Sequence, residues 1–60
     1  MTYELIDART YGQQTDRPLL IVERWGNQLR RVFALEANQG SEALEILYAL
    51  KRLQAESGAP

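Results

Sequence analysis

The side chains best suited to recognition chemistry are crowded into one short stretch. Arg24, Trp25, Arg30 and Arg31 bracket the dipeptide Gly26-Asn27, and no acidic residue lies between positions 24 and 35. Arginine's planar guanidinium makes paired hydrogen bonds to phosphate or guanine. A basic strand pair carrying an aromatic ring can enter a nucleic-acid groove or stack on a base. The same residues also have a plainer use, with Arg30 opposite Glu23, Arg24 and Arg31 at the rim of a sheet, and Trp25 closing the end of a core. Seven basic side chains stand against eight acidic ones, for a net charge of −1. That balance gives no general drive toward nucleic acid or an anionic membrane. Nucleic-acid contact through Arg24, Trp25, Arg30 and Arg31 is therefore the alternative reading.

Catalytic chemistry finds little to work with. The chain has no histidine and no cysteine, so the commonest general base, the thiolate nucleophile and the usual metal ligands are missing. Ser41 and Ser57 have no imidazole to activate them. The glycines at 12, 26, 40 and 58 mark loop ends and do not form a phosphate-binding run. No catalytic residue, metal site, cofactor or small-molecule substrate is expected, and the chain reads as a non-enzyme.

Protein contact is the stronger expectation. Trp25 and Tyr48, with nearby arginines, are types enriched at the centres of interfaces. A chain of 60 residues buries only about 60% of its unfolded surface. At this size disulfides, metals or association usually supply the missing stability, and without cysteine or histidine association is the device left. The expected interface comprises Leu20, Val22, Trp25, Leu29, Phe33, Leu44 and Tyr48.

The elements that must position these residues follow from pattern. Strands are expected over about 2–11, 19–25 and 28–36, rich in aromatic and branched residues. In the first, Tyr3, Leu5 and Tyr11 would share one face. The polar stretch 12–18 reads as a loop ending at Pro18, which suits the start of a strand. Gly26-Asn27 fits a two-residue type II′ turn, which sets Trp25 against Gln28, Arg24 against Leu29, Glu23 against Arg30 and Val22 against Arg31. Continued without interruption, that register sets Ile21 against Val32, Leu20 against Phe33 and Leu19 against Ala34. Large apolar residues then occupy both faces of the hairpin.

A helix is expected over 42–56, capped by Ser41 and stopped by Gly58 and Pro60. Ala43, Ile46, Leu47, Leu50 and Leu53 form its apolar stripe at 100° per residue, and Leu44 and Tyr48 widen the stripe beyond what one sheet face requires. No run of 18 apolar residues and no basic-apolar-small leader pattern occurs, which gives a cytoplasmic location as the expectation.

The run Phe33-Ala34-Leu35, followed by Ser41-Glu42-Ala43-Leu44-Glu45, resembles the strand-to-helix step of small bacterial and phage domains. It is similar to HicB-type antitoxins and to a short phage inhibitor of host RNA polymerase. Three strands before a helix also resemble the arm-binding domains of tyrosine recombinases, whose strongly basic strands are missing here. No functional motif is shared, so no residue role follows. The expected fold is α+β, a three-stranded antiparallel meander followed by one C-terminal helix, forming a single small domain over 1–60. The expected function is a small regulatory or interaction module acting as a homodimer or with another protein as partner.

Overall fold

Alternating apolar and polar residues at the start of the chain form β1 (Thr2–Asp7), and Asp7 ends it. Its carboxylate turns back to accept from the Arg9 backbone N–H at 2.9 Å, while the Thr10 hydroxyl donates to the Asp7 carbonyl at 2.6 Å. These local bonds compete with a sheet ladder. They fold Ala8–Tyr11 into a turn of 3-10 helix, which Gly12 closes at φ +79°. The computed structural model describes residues 1–57, and in it the first strand therefore stops four residues short of the expected position 11. Tyr11 does not share a strand face with Tyr3 and Leu5. It lies on the short helix, 69% exposed.

The loop returns through a backbone bond from Ala8 N–H to the Pro18 carbonyl at 2.8 Å. Both Ala8 and Pro18 are buried, so a small side chain and a ring pin the base of an otherwise polar loop. β2 (Leu19–Trp25) follows and runs antiparallel to β1, with Leu5 opposite Ile21 and Glu4 opposite Val22. Gly26 takes φ +60° and Asn27 does not have positive φ, the combination of a type II′ turn. β3 (Gln28–Leu35) then returns along β2, giving one sheet in the order β1-β2-β3.

Next to the turn the register is the one the sequence dictates: Trp25 opposite Gln28, Arg24 opposite Leu29, Glu23 opposite Arg30 and Val22 opposite Arg31. One step further it slips. Ile21 stands opposite Phe33, Leu20 opposite Ala34 and Leu19 opposite Leu35. Val32 is the extra residue of a β-bulge, and an inserted residue exchanges faces for everything beyond it. The expected partners Ile21–Val32, Leu20–Phe33 and Leu19–Ala34 are thereby corrected. The slip places Leu35, rather than Ala34, on the face that carries Leu19 and Ile21.

The chain then turns through residues 36–39. Gln39 fixes this turn by accepting from the Glu36 N–H through its side-chain oxygen at 2.9 Å and donating its own N–H to the Glu36 carbonyl at 3.0 Å. The Gln39 carbonyl accepts from the Ala43 N–H at 2.9 Å and so opens α1 (Gly40–Ser57). The helix begins before Ser41, which sits in the first turn and is not its cap. The stop signals expected at Gly58 and Pro60 lie outside the described residues.

The helix packs on β1 and β2. Ala43 and Leu47 are buried against Ile21 and Leu35, with Tyr3, Leu5, Leu19, Ile46 and Leu50 packed around them. Ile21 is wholly enclosed, a contribution of about 1.5–3 kcal/mol for a residue of its size. Leu53, expected to continue this stripe, is 58% exposed. The reason is length: 18 helical residues rise about 27 Å, whereas the six residues of β1 span about 20 Å. The helix outruns the sheet, and Leu53 lines a shallow groove at its end with Met1, Tyr3 and Leu50. The chain is an α+β fold with β-β-β-α order.

Candidate interaction surface

The four residues that could meet nucleic acid stand close in sequence, but the sheet gives their charges to other partners. Glu4 on β1 reaches across the same face to Arg24, which donates through Nε to one carboxylate oxygen and through Nη2 to the other at 3.2 Å. The Arg24 hydrogen bond is the main cause that holds the Glu4 carboxyl below its usual range, and the same pairing raises Arg24. Arg30 lies 3.7 Å from Glu23, directly opposite on β2. Of the three hairpin arginines, only Arg31 has no acidic partner among the described residues. Three arginines against two glutamates leave little net charge to draw a phosphate backbone, whose attraction scales with the number of phosphates neutralised. Trp25 is 55% exposed beside the turn, so it does not act as a lid on the core.

The residues expected to form a protein interface divide by strand and face. Val22 is only 3% exposed. It lies in the middle of the central strand with Glu4 and Arg31 opposite it on either side. It is therefore a buried residue and not a contact residue, which corrects its place in the expected set. Leu20 is half-buried. Leu29, Phe33, Leu44 and Tyr48 are all more than 40% exposed. The expected grouping of Phe33 with Leu20, Val22 and Leu29 fails because of the bulge, since Phe33 stands opposite Ile21 on the helix-covered side of the sheet. It is nevertheless 43% exposed, because the helix lies over β1 and β2 and meets the cluster of buried residues on β3 only at Leu35.

β3 is thus an unusual strand. From Gln28 through Phe33 every residue is exposed, and three of these six, Leu29, Val32 and Phe33, are large and apolar. Its outer edge has no neighbouring strand. Exposed edge strands are ordinarily protected by charged side chains, proline, a bulge or a covering element. β3 contains no lysine or proline, only the bulge and the adjacent Arg30 and Arg31.

One further constellation was not foreseen from the sequence. Arg9 grips Asp7 with Nε to Oδ1 at 3.0 Å and Nη2 to Oδ2 at 2.7 Å. The Arg9 side chain and then its backbone N–H hold the Asp7 carboxyl below its ordinary range. The signal was present: an aspartate two residues before its partner and a glycine at the end of the turn. Its role is to fold the chain at the end of β1. No group of three or more acidic, histidine or cysteine side chains among the described residues could hold a metal ion. None of these helices is long and apolar enough to cross a membrane.

No known protein family, curated protein or solved structure matches this chain.

Proposed function

We propose that this chain is a small non-enzymatic interaction or regulatory module, and that it associates with a second copy of itself. The observation that carries this reading is the open edge strand β3, along which Leu29 on one face, Phe33 on the other and Val32 at the bulge between them are each more than a third accessible. An exposed edge strand rich in apolar side chains is a template for pairing with another chain. The dimensions point the same way. The Cα radius of gyration is 12.2 Å, whereas a compact chain of this length has about 10 Å. A thin, elongated molecule whose helix covers only part of its sheet gains more from association than a rounded one. The arginine pairings described above favour this reading over nucleic-acid binding.

Light scattering across a hundredfold range of protein concentration tests the proposal. The expected result is a molar mass that rises from that of one chain toward that of two, with a melting temperature that rises alongside it, because association stabilises the folded state by mass action. A monomer throughout, with a melting temperature independent of concentration, would overturn it.

A further inference from the structure

We infer that the contact between copies is the outer edge of β3, paired antiparallel with β3 of the second copy to make one continuous six-stranded sheet. This inference rests on the self-association proposed above and names its geometry. The argument is charge complementarity along the free edge. The segment from position 31 to 36 reads Arg-Val-Phe-Ala-Leu-Glu, with a cation at one end, an anion at the other and four apolar residues between.

Arg31 and Glu36 have no ion-pair partner among the described residues, unlike Arg9, Arg24 and Arg30 but like Arg17, Arg52 and Glu42. Arg31 points to the sheet face that carries Val22. Ala34 lies on that face too, opposite Leu20, and Glu36 follows two residues later, at the first position past the strand.

Pairing two such segments about a two-fold axis at Ala34 sets Ala34 opposite itself and Phe33 opposite Leu35 of the second copy and, with the bulge residue Val32 left unpaired, brings Arg31 of each copy toward Glu36 of the other, twice by symmetry. Opposite charges across a strand pair stabilise it, and like charges directly opposite destabilise it. Sliding the pair toward the turn would bring Arg30 and Arg31 against the same residues of the second copy, so the charge pattern rejects that register. A second copy fits this edge because an isologous contact requires a surface complementary to itself. The segment has that property in its charges, and its apolar middle then lies at the axis, beside which Phe33 is 43% exposed in the single chain.

Charge exchange and cross-linking test the edge directly. Arg31→Glu and Glu36→Arg are each expected to raise the dimer dissociation constant at least tenfold while the far-ultraviolet circular dichroism stays that of the wild type. The two together are expected to return it to within about threefold of the wild type. Because the chain has no cysteine, Ala34→Cys places a single thiol on the axis, opposite its own copy. Under mild oxidation it is expected to give a covalent dimer, whereas Thr15→Cys on the remote loop is not. A wild-type dimer that ignores both charge reversals and leaves Ala34→Cys uncross-linked would overturn the β3 edge while leaving self-association standing. So would single reversals that weaken the dimer without recovery in the double variant. A wild type that is monomeric at every concentration would overturn the edge and the self-association together.

Discussion

At residue scale, two positions carry local conformations that the rest of the chain depends on. Gly26 holds φ +60°, and a Cβ added there would meet nothing within 4 Å. The whole cost of a substitution is thus backbone strain, with no contribution from a clash. Gly26→Val is expected to destabilise the fold by more than about 1 kcal/mol, because a β-branched residue resists positive φ. The urea midpoint measures it, and an unchanged midpoint would contradict the turn. Asp7 and Glu4 make a second prediction, through pH. Their arginine partners lower both carboxyl pKa values in the folded chain, so the unfolded chain binds protons more readily. The stability they contribute is complete above the ordinary carboxylate range near about 4 and is lost as pH falls through the lowered folded values. Both pairs are open to solvent and screened by salt, so the effect is small. Melting temperatures from pH 6 to pH 3 are expected to fall, and Asp7→Asn is expected to flatten part of that fall.

At the scale of elements, the sheet and helix meet through very few side chains. Ile21 and Ala43 are both fully enclosed at that contact. Ile21→Ala is expected to cost about 2–5 kcal/mol, the range for truncating a buried isoleucine. In a chain this short that is enough to leave much of it unfolded, as loss of the cooperative transition in denaturant would show. The hairpin gives the opposite kind of prediction. Replacing Arg24, Arg30 and Arg31 together with Gln is expected to leave the fold in place, and the wild type is expected to show no salt-sensitive binding to single- or double-stranded nucleic acid. Sub-micromolar binding at about 0.15 M salt, falling steeply as salt increases, would restore the nucleic-acid reading.

At the scale of the whole molecule, the helix is placed asymmetrically. It runs over β1 and β2 and leaves most of β3 bare. Phe33→Ser separates packing from association. Because Phe33 is 43% exposed in the single chain, the change is expected to lower monomer stability by about 1 kcal/mol, less than truncating an enclosed residue costs. It is also expected to weaken association measurably in sedimentation. A large loss of stability at the lowest concentration would instead place Phe33 in the core of the single chain.

Much of this arrangement was legible from residue types in order. The element sequence, the turn at Gly26-Asn27, the register beside it and the inward helix positions Ala43 and Leu47 follow from local chemistry and periodicity. Each is set by interactions a few residues apart, which a sequence displays directly. Three features depended on contacts between distant segments. Glu4 pairs with Arg24 across 20 positions, which takes one arginine out of the basic surface the sequence implied. The bulge at Val32 exchanges the faces of Phe33, Ala34 and Leu35. Uninterrupted pairing would put Ala34 opposite Leu19, and the slip instead supplies the larger Leu35 to the buried cluster. The choice of which strands the helix covers rests on which apolar face it can enclose as a unit. No local pattern carries that choice, because both faces of the hairpin have apolar residues at the right spacing and only packing against the helix distinguishes them.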